Sequence, residues 1–147
     1  MAMRVAECSL QMQALSALRV ERNLSTFKDD VLRVIKEIEQ ETQAQVRYDI
    51  SIDPDQQFNV DAYFLTPTPL AVVIASSVER LLEAELIWTN CHYRGESLRL
   101  FAVVEDVDKI GSKQVMRANY YTDKTVQFKG MGTAFGDMVR TAVRSAH

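Results

Sequence analysis

The six residues Leu70-Ala-Val-Val-Ile-Ala75 carry no polar side chain at any position. A β-strand turns successive side chains to opposite faces of its sheet, so a run that is apolar throughout needs cover on both sides. Its flanks mark where it stops. Thr66-Pro67-Thr68-Pro69 ends pairing ahead of it, because proline has no N–H to give to a ladder. Ser76-Ser77 behind it supplies an N-cap for a helix, and Leu98 to Val104 is a second continuous run of the same kind. Between them Val78, Leu81, Leu82, Glu85, Leu86 and Trp88 recur at helical spacing, which predicts a helix to about residue 92 that Gly95 and Ser97 break. Strand, crossover helix and strand in that order form a βαβ unit.

The segments ahead of this unit have a different period. Val46, Tyr48, Ile50 and Ile52 alternate with polar residues, as do Phe58, Val60, Ala62 and Phe64, the pattern of half-buried strands. Asp53-Pro54-Asp55 is turn chemistry, and such short connections predict an antiparallel meander for the first three strands. Further upstream, Ser25 or Thr26 can cap a helix with Asp29 and Asp30 in its first turn, where acids favour the positive end of the helix dipole. Phe27, Val31, Val34, Ile35 and Ile38 form its apolar stripe, so the helix is expected over about 26–43. Leu10, Ala14, Ala17 and Leu18 predict an earlier helix at 9–22. After the second buried run come a helix at 111–121, a short strand from Thr125 to Phe128, a turn at Gly130 and Gly132, and a helix from Thr133 to Ala146.

The expected fold class is therefore α/β (α+β), a mixed sheet of about five strands flanked by helices on both faces. A chain of 147 residues with 47% hydrophobic and 25% charged residues suits one domain. Its parts are expected to be an N-terminal helical extension at 1–25, an αβββαβ core at 26–129 and a C-terminal helix at 133–146. The longest apolar run is far short of the roughly 20 residues that span a bilayer. With no secretory signal either, the sequence predicts a cytoplasmic protein. Cys8 and Cys91 have no metal-ligand spacing, and the histidines are only His92 and His147, so neither a zinc site nor another cofactor is expected.

A resemblance follows from the element order. An αβββαβ core with an antiparallel front and a crossover after its third strand is similar to the restriction-endonuclease-like PD-(D/E)XK superfamily. The residues that carry the likeness are Asp61 in Asn59-Val-Asp-Ala-Tyr-Phe64 and the strand Leu70-Ala-Val-Val-Ile-Ala-Ser-Ser77. What the resemblance implies is an acid on the second strand and an acid-X-lysine on the third, together holding Mg²⁺ against a scissile phosphate. Asp61 stands where the first acid would stand. At the end of the third strand, however, the chain reads Ala75-Ser76-Ser77, without the acid or the lysine. Two hydroxyls do not replace the carboxylates that anchor Mg²⁺. Glu79, or Glu37 and Glu41 on the early helix, are the candidates for a displaced carboxylate. Asp61 also has a plain role open to it, facing solvent or capping a neighbouring helix.

Other catalytic signals are thin. No phosphate loop, dinucleotide turn or nucleophile elbow is present, and Gly130-Met-Gly132 before a helix N-terminus could cradle a phosphate or simply form a tight strand-to-helix turn. Charge is distributed unevenly. Residues 1–108 carry 10 Lys/Arg against 18 Asp/Glu, a net of −8, while residues 109–147 carry 7 against 2, a net of +5. Lys109, Lys113 and Arg117 follow an i, i+4, i+8 row, and Arg140 and Arg144 an i, i+4 pair. With Tyr120 and Tyr121 beside them, such rows suit contact with nucleic acid or an acidic partner, or else form solvated helix faces. Three functions remain open. A non-catalytic interaction module, acting on a protein partner or on itself as a homodimer, fits the missing acid and lysine. A metal-dependent nucleic-acid-cleaving enzyme would use Asp61 with a displaced glutamate, and a nucleic-acid-binding domain would do no chemistry.

Overall fold

The computed structural model describes residues 26–52 and 57–145; the expected extension at 1–25, the turn at 53–55, Ala146 and His147 lie outside them. Helix α1 occupies 26–42. It is followed by β1 (Val46–Ser51), β2 (Asn59–Phe64), β3 (Leu70–Ala75), α2 (Val78–Tyr93), β4 (Arg99–Val104), α3 (Val107–Ile110), α4 (Ser112–Tyr120), β5 (Lys124–Gln127) and α5 (Gly132–Arg144). The strands lie side by side in chain order. β1 pairs antiparallel with β2 and β2 with β3, whereas β3 with β4 and β4 with β5 are parallel. This is an α/β fold with a mixed five-stranded sheet, and the meander and crossover expected from the sequence are both present.

The apolar strand β3 is the reason for the layering, since all six of its residues are buried. On one face Leu70, Val72, Ile74, Phe101 and Val103 meet Phe27, Val31, Ile35 and Ile38 of α1 and Phe135, Val139 and Val143 of α5. On the other, Ala71, Val73, Ala75, Leu100, Ala102 and Val104 meet Leu81, Ala84, Ile87 and Cys91 of α2 and Val115 and Ala118 of α4. The first face is built mainly from large side chains, the second from many small ones. The Ser77 hydroxyl caps α2 by accepting the Arg80 N–H at 3.1 Å, and Gly95 takes the left-handed conformation (φ +73°) that follows the helix end. None of the described helices is long and apolar enough to cross a membrane.

Three local features depart from the sequence pattern. In β1 and the residue after it, Val46 and Tyr48 pack in the α1/α5 layer but Ile50 and Ile52 in the α2/α4 layer. In β2 and the residue before it, Ala62 and Phe64 likewise oppose Phe58 and Val60. The ladder pairs Tyr48 with Ala62 and Ile50 with Val60 and skips Asp49 and Asp61 between them. Asp49 has a φ of +51°. One left-handed residue breaks the period of two, so the pleat inverts there while the alternation of residue types runs on undisturbed.

The second departure is at Gly111, whose φ is +110°. The expected helix at 111–121 is present as α4, but Gly111 separates it from the short α3, so Lys109 lies on a different helix from Lys113 and Arg117. The third is in α2, where the sequence places Leu82 and Leu86 on the apolar stripe. They are 40% and 49% exposed, because the buried row is Leu81, Ala84, Ile87 and Cys91.

Candidate functional site

The pleat inversion at Asp61 decides what this carboxylate meets. The β2–β3 ladder ends at Ala62↔Val72. One residue further along β2, Asp61 Oδ2 accepts the Ile74 N–H of β3 at 2.6 Å. The side chain thus satisfies a backbone donor where strand pairing stops. Asp61 is only 7% exposed, which corrects the expectation that it faces solvent.

Two cations neutralise it. Arg80, in the first turn of α2, donates from Nη2 to Asp61 Oδ2 at 3.1 Å and to the Asn59 carbonyl at 2.6 Å, and from Nη1 to Glu83 at 2.8 Å. Burial opposes the Arg80 charge, yet its hydrogen bond to Glu83 and the neighbouring Asp61 charge hold the guanidinium pKa above its ordinary value. Lys28, in the first turn of α1, stands 3.5 Å from Oδ1 and is itself half exposed. Because α1 and α2 cover opposite faces of the sheet, the Asp61 cluster ties the two helix layers together through the gap between β2 and β3.

The remaining candidates for a metal site stand elsewhere. Ser76 is exposed and Ser77 is used as the α2 cap. Glu79 and Glu37 are exposed, and Glu41 accepts two hydrogen bonds from Arg140, at 2.7 and 3.1 Å. Among the described residues, His, Cys, Asp and Glu side chains form no group of three or more that would hold a metal ion. The hard-oxygen set that Mg²⁺ requires is not assembled around Asp61.

The basic rows are largely engaged within the chain. Lys109 pairs with Glu105 at 3.2 Å, and Arg117 with the buried Glu85 at 3.2 Å. Arg140 joins α5 to Glu41 of α1 and to Asp137. The Arg140 hydrogen bond, with its charge and that of Arg144, lowers the Glu41 pKa below the usual carboxylate range. Lys113 is exposed on α4, as is Arg144 on α5. Tyr120 is 77% exposed, and Tyr121 stands edge-on to Trp88 at 6.5 Å between ring centroids.

The sequence singled out Asp61 but neither of its cations. Arg80 sits one turn after a capping serine, and Lys28 among ordinary surface charges of α1, so only the chain path brings them to β2. No protein-family model matches this chain, and no curated protein or solved structure matches it either.

Proposed function

We propose that the chain is a small non-catalytic interaction module, working in the cytoplasm through protein contacts, on a nuclease-like αβββαβ scaffold. The observation that carries this reading is the engagement of Asp61. Its carboxylate serves the Ile74 N–H, Arg80 and Lys28, and the strand beside it ends in Ala75-Ser76-Ser77 rather than an acid and a lysine. A nuclease of this architecture needs that carboxylate for a metal. Here a guanidinium and an ammonium supply the positive charge instead, fixed by the fold. The element order α1-β1-β2-β3-α2-β4 is what supports the scaffold part of this reading. Phosphate tracking by the basic rows has less support, since Lys109, Arg117 and Arg140 already answer acids of the same chain.

The test is incubation of the purified chain with Mg²⁺ or Mn²⁺ and single- and double-stranded DNA and RNA. The expected result is no cleavage of any substrate. Metal-dependent cleavage that disappears in a folded Asp61→Asn variant would overturn the reading.

A further inference from the structure

Of the eight large apolar residues exposed among the described residues, six belong to α2, α4 and the position following α4. They are Leu82, Leu86, Tyr93, Met116, Tyr120 and Tyr121; the other two, Leu65 and Met131, lie elsewhere in the chain. Leu82 and Leu86 are one turn apart on α2, as are Met116 and Tyr120 on α4. The helices are neighbours in one layer, joined by the Arg117–Glu85 pair at 3.2 Å and the Trp88–Tyr121 ring contact. Their outer faces therefore lie side by side.

Its size and charge identify an occupant. A bare side chain of this kind presents about 200 Å², so at the exposures observed, 40–92%, the six present on the order of 700 Å². That approaches the roughly 800 Å² per partner of a stable protein interface. Glu85 and Arg117 answer each other within the chain, as do Arg80 and Glu83, which leaves the exposed Glu79 on α2 and the exposed Lys113 on α4. A two-fold axis that turns α2 of one copy onto α4 of another brings apolar rows together and sets a helix bearing Glu79 against one bearing Lys113. In such an interface each residue contact occurs twice.

We infer that the α2/α4 face binds a second copy of this chain, forming an isologous dimer in which α2 packs on the partner's α4. This rests on the interaction-module reading and names its partner. Glu79 and Lys113 favour the pairing of unlike helices, since α4 on α4 would bring the two copies of Lys113 to one contact. Leu86 sits in the middle of α2 and is the expected anchor of the contact.

Sedimentation of the full chain from about 1 to about 100 µM tests this directly. The wild type is expected to run as a concentration-dependent dimer. Leu86→Glu, 49% exposed and so tolerated by the fold, is expected to raise the dissociation constant at least about 30-fold with an unchanged circular dichroism spectrum. Leu65→Glu, a comparably exposed apolar residue off this face, is expected to leave it unchanged. A wild type that stays monomeric at the highest concentration overturns the inference, whether the face is covered by residues 1–25 or by a different protein. A dimer indifferent to both Leu86→Glu and Tyr120→Glu overturns it too. A monomer that cleaves nothing refutes the dimer alone, and a dimer that cleaves nucleic acid refutes the non-catalytic reading alone.

Discussion

The two helix layers solve the same burial problem and finish differently. α1 and α5 cover one face of the sheet and present charge to solvent: Lys28, Asp29, Arg33, Lys36 and Glu37 on one helix, Asp137 and Arg144 on the other. Arg140 and Glu41 tie the two helices together. α2 and α4 cover the opposite face, yet their outer surface carries Leu82, Leu86, Tyr93, Met116 and Tyr120. One layer is finished mainly in charge, and the other keeps most of the large apolar side chains exposed among the described residues. Large exposed apolar patches on a folded chain mark interaction sites. The difference is what directs the proposed contact to α2/α4 rather than to α1/α5. Asp61 stands between them, pairing with a cation from each.

Breaking the comparison at that joint gives the largest expected effect. Asp61→Ala leaves the Ile74 N–H and the partly buried Arg80 without their shared acceptor, and should cost about 3–5 kcal/mol in a urea titration. Hydrogen exchange is expected to rise in both α1 and α2, since α1 loses its ion pair to β2 and α2 keeps only the Arg80 bond to the Asn59 carbonyl. A loss below about 1 kcal/mol would show that the layers do not depend on this carboxylate.

A smaller change sharpens the comparison from within the charged layer. Tyr48 donates to Glu39 of α1 at 2.5 Å, and Lys36 lies 5.9 Å from its ring. Burial, then the Glu39 hydrogen bond and charge, push its pKa well above the ordinary tyrosine value. A folded pKa raised above the unfolded one gives stability that is complete below the unfolded pKa and lost as pH rises from about 10 toward the folded value. Tyr48→Phe should therefore cost on the order of 1–2 kcal/mol near neutral pH and flatten the alkaline limb of the stability profile. The dimer should be unaffected, as Tyr48 belongs to the other layer. An alkaline limb that keeps its slope would locate that pH dependence elsewhere, for example at Tyr63, whose pKa burial also raises.

Most of the architecture was legible in the sequence, because burial on both faces leaves a direct mark on residue type. Leu70–Ala75 and Leu98–Val104 are apolar at every position, and they became the central parallel pair. The alternation in β1 and β2 gave the strands but not the inversion at Asp49, since a left-handed residue shifts the faces without altering the sequence pattern. Gly111 was visible as a glycine, while its break between α3 and α4 depended on a φ of +110°. At the candidate site Asp61 was legible by position, and its neutralisation was not. Arg80 and Lys28 are 19 and 33 positions away in sequence, and neither side chain reveals its partner until two helices are laid on opposite sides of one strand gap. The exposed leucines of α2 were read as core because both faces of that helix carry apolar residues.

The central claim is that Asp61 is occupied by the protein's own cations and backbone rather than reserved for a metal. The Ile74 amide, which donates to Asp61 at 2.6 Å, reports on this most directly. Its NMR signal in the ¹⁵N-labelled chain can be followed as Mn²⁺ is added, because a paramagnetic ion on that carboxylate would broaden it first. The result expected is an Ile74 signal that survives as long as those of the buried β3 core around it. Selective loss of Ile74 at low Mn²⁺, reversed by excess Mg²⁺, would contradict the account and return Asp61 to metal chemistry.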